Sequence, residues 1–363
     1  MKKLLALTLA VLMTFALVGC NTQQESSSQS TLENSLIDTE DSAIEESSEE
    51  TSAPESSEES PEITGTAAVA ALKGPTAMGM IKMIDDYSKI ENGNFNFTIS
   101  ASPDEISPLL IKGDLDIAAV PANLASVLYN KTEGNIQTLA VHTLGVLYIV
   151  ETGDTIKSVE DLRGKTIYAS GKGSVPEYAL NYMLSKNGID PEKDVTIEYK
   201  TEHSECVAAL ASDENGIAML PEPFVTTAIA KNDKIKVALN MNTEWEKLVG
   251  EDGNPSTLIT GVLVARKDFV EENPELVEKF LEEYKASIEF VNSNVKAAAV
   301  LIEANDIVPA AVATKAIPNC NITYIDGGEM KQKLSAYLQT LAAQNPQAVG
   351  GELPADDFYY NAG

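Results

Sequence analysis

Between Tyr168 and Tyr178 the chain reads Tyr-Ala-Ser-Gly-Lys-Gly-Ser-Val-Pro-Glu-Tyr. Ile167 to Ser170 has the character of a strand end, and Gly171 and Gly173 let the backbone come close to a neighbouring group. Ser174 is an N-cap residue ahead of Pro176 and Glu177 in a first helical turn. Such a turn gathers free N–H groups and the positive end of a helix dipole beside Lys172, which attracts a small anion or the polar edge of a ligand. It is not a dinucleotide motif, because Pro176 stands where the third glycine belongs, and no phosphate-loop pattern is present. Glycine turns leading into capped helices are also common in α/β folds, so the chemistry depends on what converges beside this one.

The elements that would position it repeat one grammar. Thr66 to Leu72 is an apolar strand ending in Lys73-Gly74-Pro75-Thr76, where a helix with Met78, Ile81, Met83 and Ile84 begins. Phe95 to Ser100 alternates as a strand, and Ser102-Pro103-Asp104-Glu105 forms a capping box for a helix to about Lys112. Leu115 to Val120 is a third strand, with Pro121-Ala-Asn123 opening a further helix. This β-α-β-α-β-α order predicts a parallel sheet covered by helices on both faces.

Gln137 to Val141 and Gly145 to Glu151 then follow as strands with no helix between them, and the grammar restarts at Thr166 to Ser170. Val195 to Lys200, Gly216 to Leu220 and Ile235 to Asn240 are further strands. The second of these stops at Pro221-Glu222-Pro223-Phe224. Gly261-Val-Leu-Val-Ala-Arg-Lys resembles Gly145-Val-Leu-Tyr-Ile-Val-Glu151, so the two read as a pair of crossings around a complete α/β lobe. The remainder is helical, with Asn273-Pro274-Glu275 and Asp326-Gly-Gly-Glu329 opening helices expected to return over the first lobe. The expected organisation is a first lobe from 66–150 and 261–363 and a second from 151–260.

The ends and the composition narrow the function. Lys2 and Lys3, an apolar run from Leu4 to Val18, and Gly19-Cys20 read as a signal peptide over residues 1–20. Leu17-Val18-Gly19-Cys20 resembles the bacterial lipobox, in which cleavage leaves Cys20 carrying lipid, palmitate included, as a membrane anchor. Residues 21–65 hold 12 Ser and 13 Asp or Glu with no Lys, Arg or aromatic residue, the composition of a disordered tether. Its mean span is on the order of 35–40 Å, which suits a cell membrane location on the extracytoplasmic face, standing through a Gram-positive wall. The remaining body carries 42 acidic and 24 basic residues, a formal charge of −18, and excludes a nucleic-acid partner. Cys206 and Cys320 could pair or stay as buried thiols.

Residues 66–363 resemble the substrate-binding lipoproteins of ATP-driven importers, in the SsuA-like branch that includes sulfonate, nitrate and thiamine-pyrimidine binders. The resemblance rests on Asp161-Leu-Arg-Gly-Lys165, Gly173-Ser-Val-Pro-Glu-Tyr178, Asn187-Gly188-Ile-Asp-Pro191, Leu220-Pro-Glu-Pro-Phe224 and Asn273-Pro274-Glu275. It implies a periplasmic-binding-protein type II fold: two Rossmann-like α/β lobes joined by two hinge strands, with the ligand cleft between them. The partners it implies are a small-molecule ligand and the permease and ATPase subunits of an ABC importer, the binder itself being a monomer. Glu352 to Gly363 matches nothing in the family and receives no role.

Ligands of open α/β sheets bind beyond the carboxyl ends of the strands. That rule nominates Lys73, Gly74, Pro75 and Thr76, then Ser102 and Asn123, then Ser170, Lys172, Gly173 and Ser174, and finally His203 and Glu222. Lys172 suits a sulfonate or nitrate anion, whereas Glu222 between two prolines suits an amino-bearing heterocycle such as an aminopyrimidine, or a salt bridge. His203 could contact ligand or only backbone, His142 reads as structural, and Tyr148, Tyr168 and Trp245 could stack on a ring or pack the core. Enzymes that make pyrimidines occur on related architectures. Two histidines and two remaining cysteines, however, offer no nucleophile and base at a recognisable spacing, no metal cluster and no cofactor motif. The chain therefore reads as a binding protein and not an enzyme.

Overall fold

The computed structural model describes residues 63–251 and 256–361; the lipobox cysteine and residues 21–62 of the expected tether lie outside the described residues, whereas 63–65 are held by Asn94, which donates to the Ile63 and Gly65 carbonyls at 3.1 and 2.8 Å. The chain runs through β1 (Ala67–Leu72), α1 (Pro75–Tyr87), β2 (Phe95–Ser100), α2 (Pro103–Lys112), β3 (Ile117–Pro121), α3 (Ala122–Lys131) and β4 (Ile136–Leu144). A second series follows: β5 (Leu147–Thr152), β6 (Thr166–Ala169), α4 (Val175–Lys186), β7 (Thr196–Tyr199), α5 (His203–Ser212), β8 (Ile217–Pro221), α6 (Phe224–Lys231) and β9 (Ile235–Asn240). After α7 (Met241–Glu251) come β10 (Ile259–Arg266), α8 (Lys267–Glu272), α9 (Pro274–Ser293), α10 (Val295–Ala304), α11 (Ala310–Ala316), β11 (Ile322–Ile325) and α12 (Gly327–Gln344).

Two sheets result, one of order β11-β4-β10-β3-β1-β2 and one of order β7-β6-β8-β5-β9. The expected parallel first sheet is mixed: β1, β2 and β3 are parallel, but β10 lies antiparallel between β3 and β4. The reason is direction of entry. β1 to β3 run toward the cleft, whereas β10 arrives from the second lobe and starts at the cleft. β5 does the same in the second sheet, antiparallel to β8 and β9. The likeness of the stretches at Gly145 and Gly261 thus reflects equal jobs, since each leads the strand that follows a passage between lobes. One passage is the short link Gly145–Val146 between β4 and β5. The other runs from β9 through α7 to Leu258 and β10.

The C-terminal helices return to the first lobe. Phe280 and Tyr284 of α9 are fully buried against α1 and β2, with Phe280 edge-on to Phe95 at 5.1 Å between ring centroids. α12 covers the opposite face through Tyr337, Leu338 and Leu341. Phe280, Leu338 and Leu341 each contribute about 1.5–3 kcal/mol of apolar burial. The tail after α12 has a clear place. Phe358 is fully buried with its ring 5.4 Å from that of Tyr129, Tyr359 bridges to Thr138 of β4, and Asp357 takes Lys267 at 2.8 Å and the Tyr129 hydroxyl at 2.6 Å. Cys206 and Cys320 are both free and buried.

Candidate functional site

A cavity of about 650 Å³ lies between the lobes, within the roughly 300–1,000 Å³ range of small-molecule pockets. It lies outside the carboxyl ends of the parallel strands of both sheets: Leu72 at the end of β1 and Lys73 after it, Ala101 and Ser102 after β2, Pro121 at the end of β3, Ser170 after β6, Lys200 and Thr201 after β7, and Pro221 at the end of β8. Of the nominated residues, Lys73, Pro75, Thr76, Ser102, Ser170, Lys172, Gly173, Ser174 and His203 line it. Gly74, Asn123 and Glu222 do not line it.

The physical reasons differ. Gly74 is the N-cap of α1 with φ 132, and it bends the chain between two lining neighbours. Asn123 is 1% exposed behind the lining, and its amide is taken up by protein, donating to the Ala348 carbonyl at 3.2 Å and the Gly173 carbonyl at 3.4 Å. The Glu222 carboxylate, 3% exposed, points along its own helix and accepts from Thr226 N–H at 3.1 Å and Thr226 Oγ1 at 3.0 Å. Burial raises its pKa. Tyr148, Tyr168 and Trp245 do not line the cavity either. Tyr148 donates to the Asn319 carbonyl at 3.3 Å, Tyr168 to Asp213 at 3.1 Å, and Trp245 is buried between Tyr182 and Tyr337.

The turn at Lys172 is less open to an anion than its residues suggest. Gly171 and Gly173 do adopt φ 77 and φ 75, and a Cβ at Gly171 would meet Pro176 Cγ at 2.8 Å. Space beside Gly173 is open, with nothing within 4 Å of an added Cβ. Its N–H, however, already donates to Glu177 at 2.6 Å, and the Ser174 N–H donates to the Gly171 carbonyl at 3.1 Å. The Lys172 ammonium stands over the Tyr199 ring at 5.7 Å.

This pattern holds across the cleft. Glu105 accepts from Ala101 N–H at 3.0 Å before α2, Glu205 accepts from Thr201 N–H at 2.9 Å before α5, and Glu222 serves α6. Each of these helix starts, like that of α4, carries its own carboxylate. α1 differs: it has no acidic residue in its first turn and no side-chain cap, and Lys73 precedes it. Among the described residues Lys73 and Lys172 form no ion pair, whereas Lys200 is engaged by Glu198 at 3.1 Å. α3 also starts without an acid or a side-chain cap, but no lysine stands beside it. Asp104 and Glu202 also line the cavity, but α1 is the one helix start there that combines an adjacent lysine, Lys73, with no carboxylate of its own, and so it offers the positive corner of the cleft.

Opposite it, His203 hydrogen-bonds Ser170 through Nδ1, and its ring lies 5.0 Å from that of Phe224. Burial lowers His203 to about 4 and His142 to about 3, so both are neutral at pH 7. The unfolded chain binds these protons near pH 6.5, where the folded chain does not. Stability from this source is therefore complete above about pH 6.5 and drains as pH falls toward about 4 for His203. Replacing His203 with Gln should flatten the fall in unfolding free energy between pH 6.5 and 5, measured by urea denaturation; an unchanged slope would refute its neutral state in the folded chain.

The strand-end rule missed Thr143, Val146, Leu147 and Thr260, which line the floor from the strands that enter and leave the passages, and Ile307, which follows α10. The paired likeness of the passages was the available signal for the first four; nothing in sequence marks Ile307. Among the described residues no cluster of His, Cys, Asp or Glu is placed to hold a metal ion. No helix there is long and apolar enough to cross a membrane.

Two α/β lobes flanking a cavity edged by strand ends and helix starts define the periplasmic-binding-protein fold. Residues 88–311 match the family model described as an ABC transporter phosphonate periplasmic substrate-binding protein. That match spans more than half of the chain, and the chain belongs to this family of ABC-importer substrate-binding proteins.

Solved structures agree on the fold. An ABC transporter protein from Parabacteroides distasonis superposes with a TM-score of 0.68 at 23% identity, covering 83% of this chain and 100% of that one. The periplasmic aliphatic sulphonate binding protein SsuA from Escherichia coli gives 0.65 at 14% identity, covering 82% and 92%. The periplasmic nitrate-binding protein NrtA from Synechocystis gives 0.58 at 15% identity, covering 82% and 84%. Curated protein sequences yield no significant match.

Proposed function

We propose that the protein captures a small organic oxyanion, of the phosphonate or sulfonate type, between its lobes and delivers it to an ABC permease without chemical change. The observation that carries this reading is the corner at Lys73 and the start of α1, which has no carboxylate of its own, in a body of formal charge −18. Local focusing in a cleft outweighs net charge. The rest of the cavity explains why the anion is organic. Leu72, Leu124, Val146, Leu147, Phe224 and Ile307 give it apolar walls, and about 650 Å³ leaves far more room than a bare oxyanion fills. The amino-heterocycle alternative drew on Glu222, whose carboxylate is occupied by α6.

Titration calorimetry with methylphosphonate, ethanesulfonate, nitrate and an aminopyrimidine tests the assignment. Binding of a phosphonate or sulfonate well above nitrate is expected. Tightest binding of nitrate would overturn the organic class, and binding of the aminopyrimidine alone would overturn the oxyanion.

The lipobox reading places the protein on the outer face of the cell membrane through lipid on Cys20, with the acidic segment as its tether. Cys20→Ser should move it from the membrane fraction to the medium with unchanged ligand affinity. Retention after a salt wash would refute the lipid anchor.

A further inference from the structure

Asn123 joins three parts of the chain. It stands in the first turn of α3 in the first lobe, and its Nδ2 donates to two carbonyls. One is Ala348 at 3.2 Å, in the 3-10 turn Pro346–Val349 that follows α12. The other is Gly173 at 3.4 Å, in the second-lobe turn that lines the cavity. Its Oδ1 is buried with no partner. The orientation is nevertheless the right one, because a flipped amide would set oxygen against two carbonyl oxygens.

The same face of α3 holds the C-terminal turn in place. Ser126 donates to the Val349 carbonyl at 2.8 Å, and Asn130 donates to Val349 at 2.9 Å and Glu352 at 2.8 Å. Gly350, at φ 89, sits so close that a Cβ would come within 3.0 Å of Val127 Cα. The turn is therefore fixed to the helix, and the Ala348 carbonyl takes one amide hydrogen of Asn123 while the other faces Gly173.

We propose that Asn123 is a positioning residue for ligand retention: it clasps the Lys172–Gly173 turn of the second lobe onto the first, and the segment after α12 keeps its amide aimed. The inference rests on the cleft reading above. The two bonds have different lifetimes in that reading. The bond to Ala348 lies within the first lobe and persists when the lobes part, whereas the bond to Gly173 exists only while they are together. A merely structural asparagine would alter stability; a clasp alters the rate at which ligand leaves.

The chain carries its own reporter. Trp245, its only tryptophan, is 2% exposed and packed between Tyr182 of the second lobe at 4.5 Å and Tyr337 of the first at 5.5 Å between ring centroids. Its emission therefore follows lobe arrangement with or without ligand. Stopped-flow fluorescence on the full chain, with methylphosphonate and ethanesulfonate as probes, should show dissociation about three- to tenfold faster in Asn123→Ala, with association within twofold of the original. Asn123→Asp, which sets a carboxylate against both carbonyls, should dissociate faster still. Ser126→Ala with Asn130→Ala should change dissociation in the same direction by less.

Unchanged dissociation in both Asn123 variants would overturn the clasp, as would an equal slowing of association. If neither probe evokes a response, the oxyanion reading fails and the clasp is decided without ligand. Acrylamide quenching of Trp245 in the ligand-free chain should then be at least about twofold stronger in Asn123→Asp and raised in Asn123→Ala. Identical quenching in all three proteins would overturn it.

Discussion

Replacing Lys73 with alanine should weaken binding of an organic phosphonate or sulfonate by about 10- to 100-fold, the equivalent of a charge-assisted hydrogen bond of roughly 1.5–3 kcal/mol. Glutamate at the same position should abolish binding, because it would give α1 the carboxylate that the neighbouring helix starts already own. Lys172→Ala should cost less than Lys73→Ala, since the Lys172 ammonium is shared with the Tyr199 ring and the Gly173 N–H beside it is taken by Glu177. Calorimetric titration of the three variants, with unfolding measured in parallel, settles the ranking. A larger loss at Lys172 would move the anion seat to the second lobe.

Phe358→Ala should lower the unfolding free energy by about 3–5 kcal/mol, the usual cost of emptying a buried aromatic site. Phe358 is fully buried, its ring packed against Tyr129 and Tyr359. The surrounding polar contacts, Asp357 with Lys267 and Gln137 with the Asp357 carbonyl at 2.9 Å, fix the tail but are exposed and add little by themselves. Urea denaturation provides the measurement, and a loss below about 1 kcal/mol would mean that the tail is not held by this side chain.

The strand and helix order was readable because its signals are local. The run from Ala67 to Leu72 lacks polar interruption, Ser102-Pro103 marks a helix start, and the observed bounds of β2 and α2 fall where these residues put them. The antiparallel return of β10 was not readable as such, because apolar continuity reports burial on both faces and not the direction in which a strand enters a sheet. For the cavity, the rule of strand carboxyl ends reached the loops of both lobes. It could not tell which helix starts are already neutralised. Glu177 four residues after Gly173 and Glu105 four after Ala101 are visible in sequence, but only folded distances of 2.6 and 3.0 Å show that their carboxylates occupy the N–H groups. Asn123 falls outside the lining for a related reason. Polar residues just past a strand end are as apt to fasten a neighbouring segment as to meet a ligand, and its partner Ala348 lies 225 positions away.

The insertion of β10 between β3 and β4 also bears on how the chain can be made. All strands of the second sheet, β5 to β9, lie within residues 147–240 and can pair as soon as that stretch has emerged. The first sheet cannot. Its early members are two separate pieces, the parallel set β3-β1-β2 and the lone β4, which share no backbone hydrogen bonds until residues 259–266 are delivered between them. A chain that has emerged only as far as residue 255 therefore holds a complete second sheet and a divided first one, with apolar β4 lacking both of its neighbours. Synthesis from the N-terminus presents residues in this order, so the lobe that begins first is completed last.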